Sequence, residues 1–139
     1  MPPKNNTIIN AFTLILREAE RSVRAFRDSG RPKIYIGKAT CGLAAGASET
    51  QRSFEETLRE LDIEAIIRPV GCLGHCYAEP IVIVNNPKSG LPPILYPNVN
   101  PGKARMIVKS FLSDGDPLYE YMLGALKLND MVPNVMDYP

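Results

Sequence analysis

Apolar residues in the first thirty positions recur at Ile8, Ile9, Phe12, Ile15, Leu16, Ala19, Val23 and Phe26, the three-and-four spacing of one helical face. The pattern predicts a helix over residues 7–29, with Arg17, Arg21, Arg24 and Arg27 off the stripe and Gly30 and Pro32 ending it. The period then shortens. Residues 33–37 form a β-favouring run around Ile34, Tyr35 and Ile36, and residues 63–70 and 81–84 read as second and third strands. The last of these runs is continuously apolar, which predicts burial on both faces. Turn composition at 87–90, followed by Ile94, Leu95 and Tyr96, predicts a fourth strand paired with the third as a hairpin.

Two further amphipathic helices separate and follow the strands. Ser48-Glu49-Thr50-Gln51 reads as a capping box opening a helix through Phe54, Leu58 and Leu61. Asn100-Pro101 supplies a cap and first-turn proline for a helix through Ala104, Ile107, Val108, Phe111 and Leu112, ended by Ser113-Asp114-Gly115. Asp116-Pro117 starts a shorter helix, and residues 129–139, with two prolines and no period, read as an extended tail. The order is helix, then β-α-β-β-β-α, then helix and tail: an α/β fold with a mixed four-stranded sheet and helices on its faces. It divides into residues 1–31, 32–115 and 116–139.

Composition narrows the function. The 139 residues suit one domain, and a net charge of +1 gives no field to draw nucleic acid. The apolar runs fall far short of the roughly 20 residues that cross a bilayer, and the first residues do not open a signal peptide. These features predict a cytoplasmic protein with no membrane insertion. Three cysteines make an odd count, unlike the dense even framework of small secreted domains. Clustered cysteines in a reducing compartment are more often metal ligands or redox thiols than structural bridges.

Their placement supports that. Cys72 and Cys76 lie in Gly71-Cys-Leu-Gly-His-Cys-Tyr-Ala-Glu-Pro80, a glycine-bracketed loop between two strands. Cys41 opens a small-residue turn after the first strand, at the sheet edge where α/β sites are built. Four readings compete. A thiol–disulfide role for Cys72 and Cys76 is weakened by Cys-x3-Cys spacing ahead of a strand rather than a helix. A zinc site of three Cys and His75 is weakened because the adjacent His75 and Cys76 rarely reach one tetrahedral ion. Cys41 also suits plain core filling. The fourth reading, an iron–sulfur site, comes from a resemblance.

Residues 39–47, Ala-Thr-Cys-Gly-Leu-Ala-Ala-Gly-Ala, followed by Gly71-Cys72-Leu73-Gly74-His75-Cys76 and Glu79-Pro80, resemble the thioredoxin-like [2Fe-2S] ferredoxins. Within that family they are most similar to the amino-terminal domain of the flavin- and NADH-binding subunits of complex I-like enzymes, including NAD-linked and electron-bifurcating hydrogenases. The resemblance spans residues 33–115 and implies a thioredoxin-like sheet holding a [2Fe-2S] cluster. It implies Cys41, Cys72 and Cys76 as ligands, with Ile36 standing where the family has its fourth thiolate. His75 is a weak substitute, since it does not occupy that position. It further implies an electron carrier or accessory component, not a catalyst, in a hetero-oligomer with a flavin- and NADH-binding subunit. No phosphate-binding glycine loop is present, so the chain alone is expected to bind no nucleotide. The alternative is a chain that has kept the fold, lost the cluster and serves as an interaction subunit. Glu79-Pro80 is expected to shape the turn into the third strand, and helix one and the tail to serve as docking elements.

Overall fold

The first apolar stripe becomes helix α1 (Asn5–Arg27) in the computed structural model of the chain, which describes residues 5–126. The expected tail at 129–139 lies outside the described residues. The chain divides into two compact units between Gly30 and Arg31, with α1 in the first. The second contains a five-stranded sheet of β1 (Lys33–Gly37), β2 (Ile66–Val70), β3 (Val82–Asn85), β4 (Ile94–Tyr96) and β5 (Gly124–Ala125). Strand order is β2-β1-β3-β4-β5; β1 and β2 are parallel and every other neighbouring pair is antiparallel.

The parallel pair is joined by α2 (Thr40–Ala44) and α3 (Ala47–Glu60), because parallel strands need a crossover rather than a tight turn. The antiparallel β3 and β4 form the expected hairpin, turned through a 3-10 segment at Pro87–Ser89 and a left-handed Gly90. Helix α4 (Pro101–Ile107) continues into a π-helical stretch, Val108–Asp114, and stops at a left-handed Gly115. Asn100 caps α4 by accepting the Lys103 N–H at 2.8 Å, as its sequence position predicts.

Alternation along the strands sorts the core into two layers. Ile34, Ile36, Val82, Val84, Ile94 and Tyr96 pack with Phe54, Ala104, Ile107 and Phe111 from the helices. On the other face Ile81, Ile83 and Leu95 pack with Ala78. The run around β3 is therefore covered on both sides, as its uninterrupted hydrophobicity requires. Burying each of these large side chains stabilises the fold by roughly 1.5–3 kcal/mol. Tyr96 keeps its polar end satisfied by donating its hydroxyl to Pro117 O, and burial pushes its phenol pKa up.

Several elements differ from expectation for local reasons. The sheet gains a fifth strand, two residues long and too short to carry a periodic signal. The helix expected from Asp116 is replaced by a turn: Asp116 accepts the Leu118 N–H at 3.0 Å, and Leu118 takes a left-handed φ of 52°. Only a 3-10 turn at Tyr119–Tyr121 follows. Strand β2 begins at Ile66 rather than at residue 63. The capping box is not used. Gly46, at φ 99°, is the N-cap of α3 and makes no side-chain cap, while Gln51 instead accepts from Lys38 Nζ at 2.9 Å. Strand β2 is a sheet edge, and Pro69 sits within it opposite Ile36, at a position where a missing N–H is tolerated.

Candidate metal centre

Two loops at one end of the sheet bring the three cysteines together. Gly37, the last residue of β1, donates its N–H to Ile81 O, and Lys38 donates to Val70 O, both at 2.9 Å. These bonds fix the exit of β1 between its two neighbouring strands. The chain turns at once into α2, whose second residue is Cys41. The turn is tight enough that a Cβ on Gly42 would lie 2.1 Å from Gly37 O, so no other residue fits there without backbone movement.

The second loop leaves β2 at Val70 and runs through Cys72 to a 3-10 turn at Cys76–Ala78. Gly74, at φ 87°, reverses the chain and donates its N–H to Cys72 Sγ at 3.3 Å. Ala78 O accepts from Asn98 N at 2.7 Å, and Pro80 O accepts from Val99 N at 2.9 Å, tying the loop's exit to the segment after β4. The Glu79–Pro80 peptide bond is cis.

Cys41 Sγ lies 3.8 Å from Cys72 Sγ, and Cys72 Sγ lies 3.4 Å from Cys76 Sγ. All three sulfurs fall within 4.8 Å of one another, and the thiols are free. Cys41 is half-buried and the other two are exposed. The Gly74 N–H, followed by the neighbouring thiols, lowers the Cys72 pKa, whereas Cys76, hydrogen-bonded to Cys72, is pushed up to about 11.

His75 stands outside the group. Its Nδ1 lies 3.3 Å from the Tyr77 hydroxyl, and the two rings meet edge to face. Ile36 is fully buried in the main core, so a side chain at position 36 points into the hydrophobic layer. The residue beside it is the one that faces the site: a Cβ on Gly37 would come within 2.9–3.0 Å of the Glu79 carboxylate oxygens.

Glu79 does more than shape a turn. Its Oε2 accepts the Ile81 N–H at 2.8 Å, the turn-forming bond its place in the sequence suggests, but its Oε1 lies 3.9 Å from Cys41 Sγ. Nothing in the local sequence signals this contact, because the two residues are 38 positions apart and meet only when the loops assemble.

Three cysteine sulfurs on an accessible rim, one accepting a backbone N–H, suit an iron–sulfur group, whose tuning depends on such hydrogen bonds and on exposure. The donor set brought together is three cysteine sulfurs, with a Glu79 carboxylate oxygen 3.9 Å from one of them.

No family model matches the chain. The NADP-reducing hydrogenase subunit HndB of Solidesulfovibrio fructosivorans is 26% identical over 91 residues, covering 65% of this chain and 71% of that protein. A thioredoxin-like [2Fe-2S] ferredoxin from Aquifex aeolicus superposes with a TM-score of 0.58 at 20% identity, covering 73% of this chain and 97% of that one. A second structure, of the wild-type Aquifex aeolicus ferredoxin, gives 0.54 at 20% identity, covering 66% and 95%. Among the described residues no helix is long and apolar enough to cross a membrane. The β-α-β-β-β-α core, its crossover and the placement of its two loops give this chain the thioredoxin-like ferredoxin fold.

Proposed function

We propose that the chain is an electron-transfer component carrying a [2Fe-2S] cluster on Cys41, Cys72 and Cys76, within an NAD(P)H- and flavin-linked oxidoreductase complex. The observation that carries this reading is the meeting of three free thiols from two separate loops, within 4.8 Å of one another, on a ferredoxin fold. When bound, the cluster would accept and release single electrons. The chain's own residues position and tune it. Cys72 and Cys76 grip from one loop and Cys41 from the other, the Gly74 N–H stabilises charge on the Cys72 sulfur, and the exposed rim lets a partner's redox group approach.

In this reading residues 32–115 form the cluster-bearing part, and helix one and the tail at 129–139 dock to a flavin- and NADH-binding subunit in a hetero-oligomer. The hydrogenase-subunit relative supports that setting. A reducing cytoplasm is the matching compartment, because the ligand thiols must stay unpaired. A second reading, a cluster-less interaction subunit, is favoured by the burial of Ile36, which leaves no thiol at the family's fourth position.

Anaerobic reconstitution of the full chain with iron and sulfide separates the two. About two irons and two sulfides per chain, with a reduced-state EPR signal lost in Cys72→Ser and Cys76→Ser, is the expected result. An iron-free chain with no EPR signal would leave the interaction subunit as the function.

A further inference from the structure

We infer that Glu79 supplies the fourth protein ligand of this cluster, an oxygen in place of the missing thiolate. Cys72 and Cys76 would then hold one iron, and Cys41 with Glu79 the other. This inference rests on the electron-transfer reading above.

Residue Glu79 is 8% exposed, an unusual place for a carboxylate unless something compensates its charge. One oxygen is answered by the Ile81 N–H at 2.8 Å. The other faces Cys41 Sγ at 3.9 Å, and a thiol is a weak donor. A buried carboxylate oxygen turned toward a half-buried sulfur is a suitable pair of donors for a metal ion. Cys72 and Cys76, 3.4 Å apart, make a comparable pair in the facing loop.

The space around Glu79 supports the same conclusion. A Cβ on Gly37 would lie 2.9 Å from Oε2, and one on Gly42 would lie 3.2 Å from it. The carboxylate therefore occupies room that exists because both neighbours are glycine. It fills the place into which a side chain at position 37 would project, on the face of β1 opposite to Ile36. Position 36 itself is closed, since Ile36 is fully buried in the core.

The charge also balances. Three thiolates and one carboxylate carry the same total charge as four thiolates. Replacement of cysteine on one iron of a [2Fe-2S] centre is chemically established, since histidines do so in Rieske centres.

The decisive measurement is Mössbauer spectroscopy of the wild-type full chain reconstituted with 57Fe. Two inequivalent iron sites of equal weight, one with an all-sulfur environment and one without, are expected. Equivalent all-sulfur irons overturn the inference while leaving the electron-transfer reading intact, whereas a wild-type chain that takes up no iron overturns both. Glu79→Gln keeps the size of the side chain and an acceptor for the Ile81 N–H. It is expected to release iron to a chelator at least about 10-fold faster than wild type, with altered EPR g-values, by the scale on which weakened metal shells lose affinity. Unchanged release and unchanged g-values in a folded Glu79→Gln chain also overturn it.

Discussion

The two cysteine loops sit side by side and are built on opposite terms. The first leaves β1 under close backbone constraint: Gly37 and Lys38 are hydrogen-bonded to both neighbouring strands, and Gly42 packs against Gly37 O. Its thiol is half-buried and stands beside a buried carboxylate. The second loop is exposed from Gly71 to Gly74, and a Cβ on either of those glycines would meet nothing within 4 Å. One loop presents its sulfur from a fixed frame, and the other offers two sulfurs from a segment with room around it. Where a site is assembled from two such parts, substitutions of the same chemical kind have very different effects.

The glycines test this directly. Gly42→Ala has the largest expected effect: a methyl 2.1 Å from a backbone oxygen forces the β1 exit to move, and overpacking of this kind costs about 1–3 kcal/mol, read as a fall in the unfolding midpoint. Gly74→Ala has space but the wrong backbone, at φ 87°, so a loss of roughly 1–2 kcal/mol is expected from conformation alone. Gly71→Ala has neither problem and should change stability by less than about 0.5 kcal/mol in the same thermal melt. Equal effects for Gly42→Ala and Gly71→Ala would erase the distinction between the loops.

A finer contrast lies inside the second loop. In the metal-free chain Cys72 is held below the usual thiol range and Cys76 is raised to about 11, so at pH 8 the thiolate fraction is larger at Cys72. Limited alkylation followed by peptide mapping should label Cys72 before Cys76. The difference should shrink as the pH rises toward 11, where both thiols ionise.

The sequence carried most of the scaffold because periodic burial leaves a periodic record. The alternation through Ile34 and Ile36, the unbroken run at 81–84 and the Asn100 cap all reappear as local geometry. The four expected strands are present, and the fifth was invisible because Gly124 and Ala125 have no period to show. The misread helix start has a similar cause. Ser48 and Gln51 satisfy the capping-box pattern, but a left-handed Gly46 and the Lys38–Gln51 bond are set by a second helix that the small-residue run does not announce.

At the site, the three cysteines were legible by residue type and loop composition, whereas their meeting within 4.8 Å is set by the assembled loops. The role of Glu79 was not. A carboxylate before a proline reads as a turn former, and its second oxygen acquires meaning only beside a thiol 38 positions away. The resemblance marks Ile36 as standing where that family has a thiolate, but that its side chain belongs to the core needed the register of β1 against β3.

Pro69 has a consequence for assembly. Exposed sheet borders invite a neighbouring chain to add a strand, and proline is one of the standard ways to refuse it. Among the described residues one border carries Pro69 and the opposite border is a strand of two residues, so neither offers a continuous ladder of free N–H and C=O groups. Strand addition by another chain is thus disfavoured at both of these borders.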